Sequence, residues 1–182
     1  MPDKPTHVIV GASLGAKAAE ALREEGFAGR IVLIGAEPDR PYERPPLSKE
    51  YIRGEAPREK AFVHNEGFYD EHDIELRTST TVTAIDSGSS EVAMGGGERL
   101  RYDRLLLTTG AAPRRLSLPG ADLEGVLYLR DLEDAEQIRE RIARGGKVAV
   151  IEAGWIGAEV GASIRVPVKG PPPPKLGGGP SP

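Results

Sequence analysis

The N-terminal part of the sequence contains the feature that most restricts the fold: two short apolar segments joined by a glycine-containing turn and a helical segment. The apolar segments are residues 8–10 and 31–34, and each is followed by a glycine. Residues 16–25 are rich in strong helix formers and precede Gly26, a residue that favours the end of a helix. A strand, a helix and a strand within about 30 residues predict a parallel pair with a right-handed crossover. The chain is therefore expected to have an α/β fold.

Further short segments extend this pattern along the chain. Residues 74–76 predict a brief strand, and residues 105–107 predict a buried strand. Residues 81–86, 91–94 and 99–102 are separated by serine- and glycine-rich turns, which indicates an antiparallel meander. The expected architecture is a parallel sheet with an added antiparallel sheet.

The remaining elements are predicted from helix signals and one more apolar run. A short helix is expected near residues 47–53, within a loop rich in proline and charge. A longer helix is expected after Asp131, a candidate N-cap residue with Asp134 three residues later as its partner in a capping box. Residues 148–151 predict another strand of the parallel type. Residues 166–182, which are dominated by proline and glycine, are predicted to be disordered, with a polyproline binding motif as the alternative.

Composition argues against several classes of partner and site. The net charge of −4 leaves no basic excess for nucleic acid or for a membrane surface. No apolar run approaches the roughly 20 residues that a membrane span needs, and the N-terminus lacks the apolar region of a signal peptide. Without cysteine, and with three histidines scattered along the chain, neither a disulfide nor a metal site is expected. A cytoplasmic protein is the resulting expectation.

The turn between the first strand and the first helix is a candidate phosphate site. Gly11, Ser13, Leu14 and Gly15 lie there, and little Cβ bulk lets a phosphate approach the N–H groups of a helix N-terminus. The turn departs from the G-x-G-x-x-G pattern, because Ser13 takes the second glycine position and the next glycine comes one residue early. A tight turn without a ligand is the alternative interpretation.

Glu37 is the second candidate binding residue. It follows the second apolar segment, 22 residues after Gly15. A carboxylate at this place accepts hydrogen bonds from the ribose hydroxyls of an adenosine. An ordinary surface glutamate is the alternative, but the strand, glycine turn, helix, strand and acid together favour a dinucleotide-binding domain.

The segment after Glu37 carries a resemblance to a known family. Residues 40–49 read R-P-Y-E-R-P-P-L-S-K. Together with the glycine turn, they resemble the FAD-dependent pyridine nucleotide oxidoreductases, in particular the ferredoxin reductase-like group that includes putidaredoxin and rhodocoxin reductases. The resemblance extends from about Thr6 to Ser163. It implies an incomplete Rossmann-like FAD-binding domain at residues 1–115 and the start of a Rossmann-like NAD(P)-binding unit at residues 116–165, followed by the proline- and glycine-rich tail at residues 166–182.

The resemblance also implies which residues bind FAD. Arg44 would neutralise the pyrophosphate charge, and Lys49 would reach the isoalloxazine ring. Val82 would present its backbone to adenine, and Arg130 would lie beside the flavin. The pyrophosphate and ribose contacts would come from the glycine turn and the acid after it: Gly11, Ser13, Leu14, Gly15 and Glu37.

A second fingerprint follows residues 148–151 and resembles the NAD(P)H site of the family. It implies weaker contacts to NAD(P)H from Gly154, Ile156, Gly157 and Glu159. Glu152 replaces the first glycine of this fingerprint. A carboxylate there adds bulk to a tight turn and repels a pyrophosphate by on the order of 1 kcal/mol in water. The NAD(P)H site is therefore expected to be impaired.

The reaction implied by the resemblance is hydride transfer from NAD(P)H to FAD, followed by single-electron delivery to a ferredoxin-type iron–sulfur protein. No side chain is expected to act as an acid–base catalyst. The resemblance ends near Ser163, before the family's later flavin segment, most of its NAD(P) domain and its C-terminal domain. The expectation is a truncated, impaired reductase, with two alternatives: a non-catalytic FAD- or ADP-binding module, or a truncated product without function.

Overall fold

A computed structural model describes residues 4–151 and 154–165, which divide into two compact units. The first unit comprises the residues up to Glu43 together with Phe62–Ala111. The second comprises Arg44–Ala61 and the residues from Ala112 onward. The predicted disorder of residues 166–182 and the substitution at Glu152 lie outside the described residues.

The first unit contains two sheets and two helices. Its strands are β1 (Thr6–Val10), β2 (Arg30–Ile34), β3 (Ile74–Arg77), β4 (Val82–Asp86), β5 (Glu91–Met94), β6 (Arg99–Arg101) and β7 (Arg104–Leu107). Its helices are α1 (Ala12–Glu24) and α2 (Phe68–Glu71). A four-stranded parallel sheet has the order β3-β2-β1-β7, and an antiparallel sheet has the order β4-β5-β6. The predicted β-α-β unit and the predicted meander are both confirmed.

The two faces of the parallel sheet are buried by different elements. Successive side chains of a strand point to opposite faces, so Val8 and Val10 lie on one face of β1 and Ile9 on the other. The first face packs against the antiparallel sheet, including Val92. The second packs against α1 and α2, with Ala16 of α1 fully buried. Burial on both faces explains why β1 and β2 read as continuous apolar runs.

The strand β7 differs from its prediction as a buried strand. Leu106 and Leu107 are 42% and 52% exposed. The reason is position in the sheet, because β7 is an edge strand that pairs only with β1 in the part of the chain that the structure describes. Apolar composition predicted the strand correctly and its burial wrongly.

The helix predicted near residues 47–53 is also wrong. A 3-10 helix covers Pro45–Ser48, and irregular turns follow it. Tyr51 N–H donates to the carbonyl of Pro46 at 3.1 Å, whereas Arg53 N–H donates to that of Lys49 at 3.2 Å. These bonds differ in span, so no regular helix propagates. Proline is tolerated in a first helical turn because the backbone N–H that it lacks would have no partner within the helix.

The second unit contains two longer helices, α3 (Leu132–Ala143) and α4 (Trp155–Ser163). The predicted capping box at the start of α3 is confirmed: Asp134 N–H donates to Asp131 Oδ1 at 2.8 Å, and Asp131 N–H donates to Asp134 Oδ2 at 3.3 Å. No helix among the described residues has the length and apolarity to cross a membrane.

The strand predicted at residues 148–151 is wrong. These residues form no regular element, and Val148 and Ile151 are well exposed to solvent. A strand requires a hydrogen-bonded neighbour, and residues 148–151 have no partner strand within residues 4–151 and 154–165. An apolar run alone is therefore not sufficient to form the strand.

Candidate functional site

The turn after β1 is held tightly between the ends of two neighbouring strands. Gly11 has a φ of +110°, and its N–H donates to the carbonyl of Ile34 at 2.8 Å. Thr108 N–H donates to the carbonyl of Val10 at 2.7 Å, and Thr108 Oγ1 donates to the carbonyl of Gly11 at 2.7 Å. A Cβ at Gly11 would lie 2.1 Å from the carbonyl oxygen of Thr108. This backbone path therefore requires glycine.

The helix α1 begins at Ala12, earlier than the predicted residue 16, so most of the glycine turn lies within its first turns. No side chain among the described residues caps this end of α1. Its first N–H groups have no partner within the helix and carry the positive end of the helix dipole. Ser13 Oγ donates to the carbonyl of Tyr42 at 2.7 Å, and the Leu14 side chain points largely to solvent. The helix start is thus suited to an anion.

Gly15 lies in α1 where the helix approaches the sheet most closely. A Cβ there would lie 2.8 Å from Ile9 Cγ2 and 2.9 Å from Leu33 Cδ1. Close packing of helix and strand is the role of the third glycine in the dinucleotide-binding fingerprint. Gly15 has this role despite the shortened spacing, because α1 starts immediately after Gly11.

We expect Gly15→Ala to destabilise the chain by about 1–3 kcal/mol, because an added methyl group overpacks the core between α1 and the sheet. The matched control is Gly161→Ala in α4, where an added Cβ meets no atom of the described residues within 4 Å. That control should be neutral or slightly stabilising, since alanine is the better helix former. Urea unfolding followed by circular dichroism measures both, and equal effects would contradict the packing role of Gly15.

Glu37 lies in the loop after β2 and is held by both backbone and side-chain contacts. The hydroxyl of the buried Tyr42 donates to Glu37 Oε2. Ser79 N–H donates to the carbonyl of Glu37 at 2.9 Å, and Thr80 N–H donates to that of Gly35 at 2.9 Å. Residues 79–80 lead into β4, where the half-buried Val82 pairs with Met94. Val82 therefore follows closely in sequence after residues 79–80, whose N–H groups bind the Glu37 loop.

The predicted site residues of the first unit collect at one edge of the parallel sheet. Val10 pairs with both Ile34 and Leu107, so the carboxyl ends of β1, β2 and β7 are aligned. The start of α1 and the Glu37 loop both follow these ends. A helix N-terminus attracts phosphate, and a carboxylate accepts from hydroxyl groups. This combination is complementary to the diphosphate and ribose of a nucleotide.

The predicted residues of the second unit form two pairs. Arg44 Nη1 donates to the carbonyl of Arg130 at 2.5 Å. Lys49 Nζ forms an ion pair with Glu159 Oε2 at 2.9 Å, and Ser48 Oγ donates to the same oxygen at 2.5 Å. The pKa of Glu159 is lowered by these hydrogen bonds, first from Ser48 and then from Lys49. Lys49, predicted to reach the flavin, is thus paired with a residue that the resemblance assigns to NAD(P)H.

The other residues of the second fingerprint lie at the start of α4. Gly154 is the N-cap residue, in an extended conformation. Ile156 is half exposed, and Gly157 is buried. Glu152, on which the prediction of an impaired NAD(P)H site depends, lies outside the described residues.

The Glu159 contacts predict a loss of local stability in acid. The pKa of Glu159 in the folded state lies below its ordinary value. The stabilisation that its contacts give is therefore complete above about pH 4.3 and is lost as the pH falls through the folded-state pKa. Trp155, the single tryptophan of the sequence, lies one turn away in α4. Its fluorescence anisotropy should fall in acid as α4 loosens. Glu159→Gln should remove this transition, whereas Glu133→Gln, an exposed acid of α3, should retain it.

Tyr42, Ser48 and Thr108 were not assigned a role from the sequence. Tyr42 and Ser48 lie within the R-P-Y-E-R-P-P-L-S-K segment, which was the available signal. Thr108 lies after β7 in a Thr-Thr-Gly segment that resembles a family motif. Its hydrogen bonds to Val10 and Gly11 depend on the register between β7 and β1, which that motif does not report.

A cavity of about 360 Å³ also lies in the first unit, but away from the glycine turn. Its lining includes His7 and Arg104 at the amino ends of β1 and β7, and Leu22 near the C-terminal end of α1. The pKa of His7 is lowered by burial and by the neighbouring Arg104. The candidate site lies at the opposite end of the sheet from this cavity.

Known proteins resemble this chain in sequence and in fold. Rhodocoxin reductase from Rhodococcus erythropolis is 42% identical over 159 residues, which cover 87% of this chain and 37% of that protein. Rubredoxin-NAD(+) reductase from Pseudomonas putida is 40% identical over 157 residues, covering 86% and 41%. The structure of putidaredoxin reductase in its covalent complex with putidaredoxin matches with a TM-score of 0.83 and 39% identity, over 90% of this chain and 40% of that chain.

The chain thus spans about two fifths of the length of these relatives. The predicted Rossmann-like fold and the predicted resemblance to ferredoxin reductase-like proteins are both confirmed. The matching family profile covers residues 5–166, which include the glycine turn, Glu37 and both helices of the second unit. By sequence and fold, this chain is a member of the pyridine nucleotide-disulphide oxidoreductase family.

Proposed function

We propose that this chain is the FAD-binding part of a flavin-dependent NAD(P)H oxidoreductase whose electron acceptor is a ferredoxin-type iron–sulfur protein. One observation carries the proposal: the start of α1, which no side chain of the described residues caps, and the carboxylate of Glu37 lie at the same edge of the parallel sheet. The step from adenine nucleotide to flavin is supported by the R-P-Y-E-R-P-P-L-S-K segment and by relatives named as rubredoxin and rhodocoxin reductases.

In this proposal the chain supplies binding and electrostatics. Bound FAD supplies hydride acceptance and single-electron transfer, and neither needs an acid–base side chain of the protein. The turn from Gly11 to Gly15 holds the pyrophosphate through N–H groups, and Glu37 accepts from the ribose hydroxyls. Val82 presents its backbone to adenine.

The roles proposed for the second unit follow the resemblance. Arg44 neutralises phosphate charge, Arg130 lies beside the flavin, and Lys49 acts on it electrostatically. The ion pair with Glu159 reduces the net positive charge that Lys49 presents, so Glu159 modulates that effect. Contacts of NAD(P)H with Gly154, Ile156, Gly157 and Glu159 remain a prediction.

We also propose the domain division and the compartment. Residues 1–115 belong to the FAD-binding domain and residues 116–165 to the start of the NAD(P)-binding domain. The proposed compartment is the cytoplasm, where the NAD(+) used by relatives such as the rubredoxin reductase is available.

The second candidate function is a non-catalytic nucleotide-binding module. It is favoured by the fact that the first unit alone contains both the glycine turn and Glu37. In that case the chain would bind ADP as well as FAD, and the flavin ring would add little affinity.

Titration of the purified chain with ADP and with FAD tests the proposal. We expect both to bind, and we expect the visible absorption spectrum of the purified chain to show retained FAD. Glu37→Gln should weaken ADP binding about tenfold, because a charge-assisted hydrogen bond becomes a neutral one. Glu24→Gln makes the same charge change at the other end of α1 and should leave the affinity unchanged.

The outcomes separate the two candidates. ADP binding together with flavin retention supports the reductase fragment, whereas tight ADP binding without flavin retention supports the module. A folded chain that binds neither ADP nor FAD would refute both.

A further inference from the structure

We infer that Tyr42 is a positioning residue that orients the Glu37 carboxylate for a ribose and couples it to the start of α1. The inference rests on the nucleotide-binding function proposed above. It concerns a residue that the sequence resemblance leaves without a role.

The Tyr42 side chain is fixed by burial and by its backbone. It is 3% exposed, and Tyr42 forms an antiparallel bridge with Phe62. Val63 N–H donates to the carbonyl of Pro41 at 2.9 Å, and the Arg40 guanidinium lies 3.8 Å from the centre of the Phe62 ring. These contacts secure Tyr42 and the two residues that precede it. Its ring therefore has little freedom to move.

Tyr42 makes polar contacts with both parts of the candidate site. Its hydroxyl donates to Glu37 Oε2, and its carbonyl accepts from Ser13 Oγ at 2.7 Å. A hydrogen bond to one carboxylate oxygen restricts rotation of the whole group, which sets the direction of the other oxygen. The buried phenol thus preorients the acceptor that the ribose hydroxyls would meet. The contact through Ser13 joins that acceptor to the first turn of α1.

The expected size of the effect follows from preorganisation. A glutamate side chain that is already ordered loses less conformational entropy when the nucleotide binds. Immobilising a glutamate side chain when the nucleotide binds lowers the affinity for the nucleotide by about threefold to tenfold. Removing only the Tyr42 hydroxyl should therefore weaken ADP binding by about that factor and leave the ring packing intact.

The test compares Tyr42→Phe with the unsubstituted chain, using ADP and 2′,3′-dideoxy-ADP as probes. We expect the unsubstituted chain to prefer ADP. Tyr42→Phe should lose affinity for ADP and keep its affinity for dideoxy-ADP, because the hydroxyl acts through Glu37 on the ribose diol. Tyr69→Phe, which removes a hydroxyl from another tyrosine that is 3% exposed in the same unit, should change neither affinity.

A double-mutant cycle provides a second measurement. In the Glu37→Gln background, Tyr42→Phe should have little further effect on ADP affinity. Equal losses for both nucleotides, an unchanged affinity for ADP, or additive effects in the cycle would overturn the assignment while leaving the nucleotide site in place. A folded chain that binds no ADP would instead refute the proposed function, and the assignment with it.

Discussion

Gly11→Ala is expected to destabilise the chain by about 2–6 kcal/mol and to abolish nucleotide binding. Alanine is strained at a φ of +110°, and its Cβ would lie 2.1 Å from the carbonyl oxygen of Thr108 and 2.7 Å from the amide nitrogen of Thr109. Both are backbone atoms. They cannot retreat without disturbing the hydrogen bond from Thr108 N–H to Val10, which anchors β7 to the turn.

The matched control for this substitution is Gly96→Ala. Gly96 also has a positive φ, +90°, but an added Cβ there meets no atom of the described residues within 4 Å. Gly96→Ala therefore shows the cost of backbone strain alone, about 1–2 kcal/mol. Urea unfolding and ADP titration measure both variants. If the two lost equal stability, close approach of the backbone at Gly11 would have no energetic role.

Glu136→Ala is expected to destabilise the second unit by about 2–4 kcal/mol. Glu136 of α3 is 8% exposed and accepts hydrogen bonds from the Tyr51 hydroxyl at 2.8 Å and from Arg58. Its removal leaves a buried phenol and a guanidinium without this acceptor. The Arg58 side chain is 38% exposed, and solvent reduces the loss below that of a fully buried pair. Glu140→Ala, which breaks only a surface pair with Arg144, should cost less than about 1 kcal/mol.

Titration of Tyr51 gives an independent measure of the same contact. Burial, and then the hydrogen bond and charge of Glu136, raise the pKa of Tyr51 to about 12. Because the folded-state pKa of Tyr51 is raised, its contribution to the free energy of unfolding is complete below about pH 10. This contribution is lost as the pH rises towards 12. In Glu136→Ala the pKa of Tyr51 should fall, since only burial still raises it. A pKa that stayed near 12, measured by phenolate absorbance, would contradict the contact.

Local signals in the sequence predicted much of the fold. The β-α-β unit depends on apolar periodicity and glycine stops, and the capping box at Asp131 and Asp134 depends on two residues three apart. Errors arose where the outcome depends on a distant partner. The burial of β7 depends on its place in the strand order, and residues 148–151 require a neighbouring strand that their own composition does not supply.

The candidate site shows the same division. The positions of Gly11 and Glu37 follow from the order of strand, turn and helix, so a sequence pattern can find them. The ion pair of Lys49 with Glu159 joins residues 110 apart in the chain. The contact between Tyr42 and Glu37 depends on the course of an irregular loop. Neither has a periodic signal in the sequence.

The packing of Gly15 has a consequence for how glycine turns between a strand and a helix are recognised in sequences. The fold requires a glycine on the face of α1 that packs against the sheet, because Ile9 and Leu33 occupy the space that a Cβ would need. The count of residues between the glycines can change if the helix starts at a different residue. A search pattern with a fixed interval would overlook such turns, whereas one that scores whether a glycine faces the adjacent strands would recover them.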